Sequence, residues 1–339
     1  MGGEIHQPGS DDGWHGVIAP GGRFAPEKDR YHLYFGLFCP FAHRANLVRH
    51  LKGLTAIVPT SIVRPYPRGG DQKFPSWIFP ENDDEYPGAT PDHLYHSKYL
   101  SEIYFKADPD YQGKYSVPLL WDKKLGTIVN NESAELLRWL PTAFDSILTH
   151  PIPLDLYPLD LRPVIDMIGP WLQSHLNTGV YKAGFAADQV IYDKNVIPVF
   201  GALNKLEQLI HANGGPFVLG ERLTELDIRL YATVIRFDMV YVQHFKCNLG
   251  TVRHNYPVLN TWLRHVYWAV PGFKDSTNST HIKEDYTKGM PDINPKGITP
   301  MGPYPDVEVG APSRDEWKNL KPGGIKLEEV QNVAEKLPA

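Results

Sequence analysis

The sequence predicts two dissimilar parts, an α/β domain followed by an all-helical domain. At 339 residues the chain is long for one domain and suits two. Strand-like and helix-like apolar patterns alternate as far as residue 148, and from residue 152 onward only helical patterns occur. A hydrophobic content of 42% is enough to build a sizeable core.

The overall composition excludes several classes of function. A formal charge of −5 leaves no basic excess for nucleic acid or for an anionic membrane surface. Two cysteines in a chain of this size cannot form a disulfide framework, which favours a reducing compartment. The first residues lack the apolar core of a signal peptide, and no apolar run is long enough to span a membrane. We therefore expect a cytoplasmic protein.

The first elements follow an arm without periodicity. Residues 1–27 are rich in Gly, Pro and Asp, which predicts an extended arm rather than a folded element. "YHLYFGLF", beginning at Tyr31, has the aromatic content of a strand, and after Pro40 the apolar residues follow helical spacing. Gly53 ends this helix. A second strand, "TAIVPTSIV", contains a proline that favours an irregular or edge position.

A long irregular loop is predicted over 64–93, where Pro, Gly and Asp are frequent. A loop of this length in a compact domain is usually functional or disordered. Its Trp77 and Phe79 indicate that it packs against another part of the protein. A helix is expected around 99–104.

The last part of the α/β domain is predicted from "SVPLLWDKKLGTIVNNESAELLRWL". This stretch indicates a strand, a turn at 122–126, a second strand and a helix that begins near Glu132. The resulting order, βαβαββα, is that of a thioredoxin-like domain over 28–148.

The helical domain is predicted over 152–275 from amphipathic segments. In "LTELDIRLY", Thr224 and Asp227 have the spacing of a capping pair at the start of an apolar helix. Residues 276–339 are again rich in Pro and Gly, which predicts an irregular C-terminal extension with at most a short terminal helix. The predicted helical segments are 164–175, 188–212, 224–245 and 257–270.

Cys39 is the candidate nucleophile. It lies where the first strand gives way to the first helix, and unpaired amide groups at a helix start favour a thiolate over a thiol. Pro40 suits the first helical position, His43 follows one turn later, and Arg44 adds a cation. The alternative is a buried, inert cysteine, which is the common state of cysteines in cytosolic domains.

Two further features predict a peptide-like ligand. In a thioredoxin-like domain, a proline at the start of the third strand, here Pro118, leaves the backbone of Val117 available to such a ligand. "NNES" lies at a helix start whose free N–H groups can hold a carboxylate. Glutathione offers a γ-glutamyl carboxylate, a peptide backbone and a thiol for these three places. The alternative for "NNES" is simple helix capping by Asn131.

Several motifs resemble those of the xi class of glutathione transferases, the glutathionyl-hydroquinone reductases, which are related to the omega class. "CPFAHR" is similar to that family's C-P-W-A-H-R, and "VPLLWDKKLGTIVNNESAELLR" resembles its glutathione-binding segment. In the second half, "NTGVYKAGFA", "LTELDIRLYATVIRFDMVYVQHFKCN" and "HIKEDYTKGMPDINPKGITPMGP" resemble stretches specific to the class. The resemblance covers residues 28–303.

The resemblance implies a glutathione-dependent removal of glutathione from S-glutathionyl-hydroquinones. The Cys39 thiolate would form a mixed disulfide with glutathione and release the hydroquinone, and a second glutathione would regenerate the thiolate. A proton donor is required for the leaving aryl carbon. By the same resemblance Tyr181 would transfer the proton, and Tyr241 and Tyr286 would help to stabilise the thiolate.

The resemblance also implies a glutathione site and a homodimer. Three residues depart from the family pattern: Phe41 replaces the motif tryptophan, Phe38 replaces a small residue, and Asp285 stands where histidine is frequent. These changes alter the pocket walls and leave the thiol chemistry intact. The residues implied in glutathione binding are Phe41, Trp77, Lys114, Tyr115, Ser116, Val117, Pro118, Glu132 and Ser133.

Other functions stay open at this stage. An omega-type thiol transferase or dehydroascorbate reductase would use the same cysteine but would not need the tyrosines. A glutathione-transferase fold can also serve as a non-enzymatic ligand-binding protein. His93 and His96 have a spacing seen in metal sites, but no cluster of further ligands completes them. Cys247 is expected to be a structural thiol.

Overall fold

The computed structural model describes residues 13–70 and 74–334. Within those ranges the strands are β1 (Tyr31–Phe35), β2 (Thr60–Ile62), β3 (Leu119–Asp122) and β4 (Thr127–Asn130). The helices are α1 (Pro40–Leu51), α2 (Leu100–Ala107), α3 (Ser133–Trp139), α4 (Arg162–Leu172), α5 (Gly179–Gly184), α6 (Gln189–Ala212), α7 (Glu225–Arg236), α8 (Val252–Asn255), α9 (Pro257–Ala269), α10 (Ser279–Gly289), α11 (Arg314–Asn319) and α12 (Leu327–Ala334).

The chain forms two compact units. The first unit contains the described residues up to Leu156 together with Pro271–Pro300. The second unit contains Tyr157–Val270 together with the described residues from Met301 onward. Each unit is therefore discontinuous along the chain.

The first unit is built on a mixed sheet with the strand order β2-β1-β3-β4. β1 runs parallel to β2, with Leu33 opposite Thr60, and antiparallel to β3, with Leu33 opposite Leu120. All five residues of β1 are buried, as expected of an apolar strand in the middle of a sheet. α1 and α3 pack against each other. This element order confirms the predicted thioredoxin-like domain.

The second strand is shorter than its sequence predicts. Gly53 has a φ of 66° and leads into a single 3-10 turn, Leu54–Ala56. The parallel pairing then begins where the N–H of Leu33 donates to the carbonyl of Pro59 at 2.9 Å. Only Thr60–Ile62 forms the strand, because the left-handed glycine turns the chain before it can extend.

The long loop after β2 packs on the first unit, as its aromatic residues predict. Trp77 and Phe79 are 9% and 2% exposed. Isolated bridges join Gly69 to Ser76 and Ile78 to Tyr99. The described parts of the loop are therefore held by a few local pairs and buried rings instead of by regular structure.

The second unit confirms the predicted helical domain. The four predicted segments correspond to α4, α6, α7 and α9, and wider π-helical turns, Gln173–Asn177 and Phe237–Tyr241, follow α4 and α7. Thr224 and Asp227 form the predicted capping box at the start of α7. All residues of α7 are buried, so this helix is central to the unit.

The prediction of an irregular segment over 276–339 is wrong for α10. Asn278 caps this helix by accepting a hydrogen bond from the N–H of His281 at 3.0 Å. The His281 ring bonds the carbonyl of Pro87 at 2.8 Å, and the Tyr86 hydroxyl donates to Glu284. These partners lie almost two hundred residues earlier, which is why local composition did not reveal the helix.

The last part of the described chain is fixed to the second unit. The side-chain amide of Asn204 on α6 donates to the carbonyl of Ile325 at 2.8 Å and accepts from its N–H at 2.9 Å. The buried carboxylate of Glu207 accepts from the N–H of Gly323 at 2.9 Å and from the N–H groups of Val258 and Leu259 at the start of α9. The tail therefore wraps onto the helices.

The predicted N-terminal arm is partly inside the described residues. Residues 1–12 lie outside them, whereas His15 forms an antiparallel bridge with Asn130 at the end of β4. The N–H of Gly16 donates to the carbonyl of Val129 at 2.7 Å, and Ile18 is 2% exposed. The described part of the arm is paired with the sheet and is therefore part of the folded unit.

Candidate active site

Cys39 occupies the N-cap of α1, as the sequence predicts. Its Sγ accepts a hydrogen bond from the N–H of Ala42 at 3.5 Å, and Pro40 stands in the first turn. Sγ also lies 3.6 Å from the carbonyl oxygen of Val117. The residue is half-buried. The residue is therefore partly accessible, and its sulfur lies beside the backbone segment expected to bind a peptide-like ligand.

The two basic residues after Cys39 are both buried and hydrogen-bonded. His43 Nε2 bonds Ser276 Oγ at 2.9 Å, and this hydroxyl donates to the carbonyl of Phe273 at 3.1 Å. Arg44 Nη1 donates to Ser133 Oγ at 3.4 Å. α1 is thereby tied both to the segment after Val270 and to the start of α3.

The segment before β3 is held in a tight turn. The peptide bond between Val117 and Pro118 is cis. The N–H of Ser116 donates to the carbonyl of Lys114 at 3.1 Å and to the Tyr104 hydroxyl at 3.1 Å. That hydroxyl in turn donates to the Ser116 carbonyl at 2.8 Å. The predicted glutathione-binding residues from Lys114 to Pro118 therefore form one fixed structure next to the sulfur of Cys39.

Asn131 does not cap α3, so the alternative interpretation of "NNES" as helix capping by Asn131 is wrong. Glu132 is the N-cap, and its side chain accepts from the N–H of Ala134 at 2.9 Å. Its own N–H donates to Asn130 Oδ1 at 2.8 Å. Glu132 and Ser133 are 4% and 5% exposed. A buried carboxylate and a hydroxyl thus stand together at a helix start.

The large Phe38 side chain is buried against Trp77 and is not exposed next to Cys39. It is 2% exposed and its ring lies 4.4 Å from that of Trp77. A Cβ at position 36 would come within 2.3 Å of the Phe38 ring, so Gly36 provides the space for the large side chain. The Arg68 guanidinium covers the Trp77 ring at 3.8 Å, and Arg44 lies 5.0 Å from the Phe41 ring. Phe41 is therefore packed beside a cation, and Phe38 is packed against a tryptophan that a cation covers.

The three predicted tyrosines fall in different units. Tyr286 lies on α10 in the first unit, the unit that contains Cys39, and is 1% exposed. Tyr181 on α5 and Tyr241 in the π-helical turn belong to the second unit, with ring centroids 6.0 Å apart. Both rings also contact Phe245, at 5.1 Å and 5.4 Å. The structure therefore brings Tyr181 and Tyr241 into one aromatic cluster.

Other candidate residues are structural or isolated. Cys247 is fully buried, and burial raises the pKa of its thiol to about 12, as expected of a structural cysteine. His93 lies on the surface, 3.7 Å from Asp83. Over 13–70 and 74–334, no group of three or more His, Cys, Asp or Glu side chains is placed to hold a metal ion. Of the helices that the structure describes, none has both the length and the apolar character needed to cross a bilayer.

Two functional contacts were missed from the sequence. The sequence predicts Arg44 as a cation near the thiol, but it does not predict the bond to Ser133 because the two residues are far apart in the chain. Trp14, in a stretch otherwise rich in Gly and Asp, bonds Asn131 beside Glu132. A lone tryptophan in a polar arm was the available signal for this contact.

Comparison with known proteins shows the family. Residues 38–143 match the model of the glutathione S-transferase N-terminal domain, and residues 189–265 match that of the C-terminal domain. The chain is 49% identical to glutathione S-transferase omega-like 2 of Schizosaccharomyces pombe, over 84% of this chain and 89% of the relative. It is 44% identical to glutathionyl-hydroquinone reductase YqjG of Escherichia coli, over 88% of this chain and 86% of the relative.

Solved structures agree with this result. The glutathione-S-transferase Xi of Phanerochaete chrysosporium has a TM-score of 0.81 and 46% identity, covering 87% of this chain and 97% of the other. The glutathione-bound structure of the E. coli YqjG has a TM-score of 0.80 and 42% identity, covering 90% of this chain and 96% of the other. The chain therefore belongs to the xi class of the glutathione transferase family, a family of glutathione-dependent enzymes.

Proposed function

We propose that this protein is a reductase that removes glutathione from S-glutathionyl-hydroquinones through a thiolate at Cys39. The observation that carries the proposal is the position of Sγ, which accepts the N–H of Ala42 at a helix start and lies 3.6 Å from the Val117 carbonyl. An amide donor at a helix N-terminus favours the anionic form of sulfur. The name of the E. coli relative supplies the substrate class.

The first step is an attack of the Cys39 thiolate on the glutathionyl sulfur. A disulfide forms between Cys39 and glutathione, the aryl carbon–sulfur bond breaks, and its electron pair goes to the aryl carbon, which takes up a proton. The ring is reduced by two electrons and leaves as the hydroquinone. The sulfurs supply these electrons, so the protein needs no other reductant for this step.

The second step restores the thiol. The thiolate of a second glutathione attacks the mixed disulfide, glutathione disulfide leaves, and the Cys39 thiolate is regenerated. The sum of the two steps converts one S-glutathionyl-hydroquinone and one glutathione into hydroquinone and glutathione disulfide.

Glutathione would lie along the segment before β3 with its γ-glutamyl end at the start of α3. The Glu132 carboxylate suits the γ-glutamyl ammonium group. Ser133 Oγ accepts from Arg44, so its own proton is available to a carboxylate. The backbone of Val117 would pair with the cysteinyl residue of glutathione, which directs the thiol to Cys39. The other residues of this segment are Lys114, Tyr115, Ser116 and Pro118. The aromatic members of the proposed site are Phe41 and Trp77.

The proton for the leaving aryl carbon is assigned to Tyr181. Tyr181 is half-buried, whereas Tyr241 and Tyr286 are fully buried. The exposure of Tyr181 suits a role in proton transfer, and the xi-class resemblance implies roles for Tyr241 and Tyr286 in stabilising the thiolate. An omega-type thiol transferase would not need Tyr181. Replacement of Tyr181 by Phe should abolish quinol deglutathionylation and spare reduction of a small mixed disulfide.

The test of the proposal is turnover of a glutathionyl-hydroquinone by the wild-type chain and by Cys39→Ser, with Cys247→Ser as the matched control. We expect loss of turnover only in Cys39→Ser. Intact mass after incubation with glutathione disulfide should show one glutathione adduct in the wild type and in Cys247→Ser, and none in Cys39→Ser. Turnover retained by Cys39→Ser would refute the mechanism. A wild-type chain that shows neither turnover nor a glutathione adduct would instead favour a non-enzymatic ligand-binding protein.

Two further proposals concern the protein in the cell. We propose that it acts in the cytoplasm, because its low cysteine content favours a reducing compartment, and that two copies form a homodimer, as the xi-class resemblance implies. Sedimentation velocity checks the second proposal, and a monomer at micromolar concentration would contradict it.

A further inference from the structure

The described part of the N-terminal arm is bonded to the residue before the start of α3. The N–H of Trp14 donates to Asn131 Oδ1 at 2.9 Å, and the N–H of Asn131 donates to the carbonyl of Trp14 at 3.2 Å. Asn131 Nδ2 lies 3.4 Å from the Tyr104 hydroxyl. The Asn131 carboxamide therefore links the arm to Tyr104, immediately before Glu132.

The Trp14 ring contacts the residues that hold the other half of the glutathione site. Its centroid lies 5.6 Å from the Tyr104 ring and 5.2 Å from the Tyr111 ring, and those two rings stack at 4.9 Å. The Tyr104 hydroxyl bonds both the N–H and the carbonyl of Ser116. The Tyr111 hydroxyl donates to the carbonyl of Lys114 at 3.0 Å.

We propose that Trp14 is a positioning residue for glutathione. Its contacts lead to both halves of the site. The Trp14 backbone bonds Asn131 at the start of α3, and the Trp14 ring packs on the two tyrosines that hold the segment from Lys114 to Ser116. Holding both segments in place before the ligand arrives lowers the ordering cost of binding. This inference rests on the proposed glutathione site, and it assigns a function to an arm that the sequence predicted only as an extended segment.

The test is the dissociation constant for S-methylglutathione, measured by titration calorimetry on the full chain. This probe has no free thiol, so binding is separated from chemistry at Cys39. We expect Trp14→Ala to weaken binding about tenfold, because it removes the ring that packs on Tyr104 and Tyr111, whereas the backbone bonds to Asn131 remain. Trp14→Phe, which keeps an aromatic ring, should restore binding to within about twofold. Val17→Ala, in the same arm with a side chain 46% exposed, is the matched control and should bind like the wild type.

A second variant keeps the test decisive if Trp14→Ala does not fold. Tyr111→Phe preserves the stacked rings and removes only the hydroxyl that holds the Lys114 carbonyl. It should weaken binding about threefold, in line with the loss of one hydrogen bond. The proposal is overturned if Trp14→Ala, or Tyr111→Phe in its place, binds S-methylglutathione as tightly as the wild type. A wild-type chain that does not bind the probe at all would overturn the proposed glutathione site itself.

Discussion

His32 should make the folded protein sensitive to acid. It lies in β1, is 4% exposed, and its Nε2 bonds Ser61 Oγ at 2.9 Å. Burial lowers the pKa of His32 to about 4, against an ordinary value of 6.5. The folded state therefore favours the neutral ring, whereas the unfolded chain takes up a proton below pH 6.5. The resulting stability is complete above pH 6.5 and is lost as the pH falls toward 4.

The size of the effect follows from these two pKa values. One pKa unit corresponds to about 1.4 kcal/mol, so the full loss is about 3 kcal/mol and is complete below pH 4. Between pH 7.5 and pH 5 the same two values give a loss of about 2 kcal/mol from this one histidine. That range avoids most of the titration of the carboxylates.

The assay is denaturant unfolding of wild type and His32→Gln at pH 7.5 and pH 5. Glutamine can still reach Ser61 and does not titrate, so the variant should lose about 2 kcal/mol less than the wild type on going to pH 5. His150→Gln, at an exposed position, is the control and should behave as the wild type. An equal loss in wild type and His32→Gln would show that His32 does not stay neutral in the folded state.

Two more outcomes follow from the packing. In Gly184→Ala the new Cβ would meet the Phe245 ring at 2.2 Å, so we expect a loss of about 1–3 kcal/mol and a lower melting temperature. Gly201→Ala on α6, whose nearest contact would be 3.8 Å, should fold at least as stably as wild type, and similar melting temperatures for the two variants would contradict this packing. A thiol reagent should label one cysteine of the folded chain, Cys39, and two after denaturation, because burial raises the pKa of Cys247 to about 12; labelling of Cys247 in the folded chain would be the contrary result.

The elements that the sequence predicts well are those set by local chemistry. Pro40 after Cys39 marks the start of α1, and Thr224 with Asp227 marks the start of α7. Apolar periodicity gave α6 to within one residue of its observed start at Gln189. In each case the signal and the structure lie within a few residues of each other.

The parts that the sequence predicts poorly depend on distant partners. α10 was read as irregular because the contacts that hold it, from His281 and Glu284, go to Pro87 and Tyr86. The same limit applies to the site. Composition placed Asn131 at a helix start, but its actual partner is Trp14, more than one hundred residues earlier.

The return of Pro271–Pro300 to the first unit affects the order in which the protein can fold during synthesis. The hydrogen bond of His43 cannot form until Ser276 has been synthesised, and that of Tyr86 cannot form until Glu284 has been synthesised. At ~5–20 residues per second, roughly 7 to 30 s separate the synthesis of Leu156 from that of Pro300. Until α10 is complete at Gly289, the nascent chain carries a cysteine-bearing sheet without this helix.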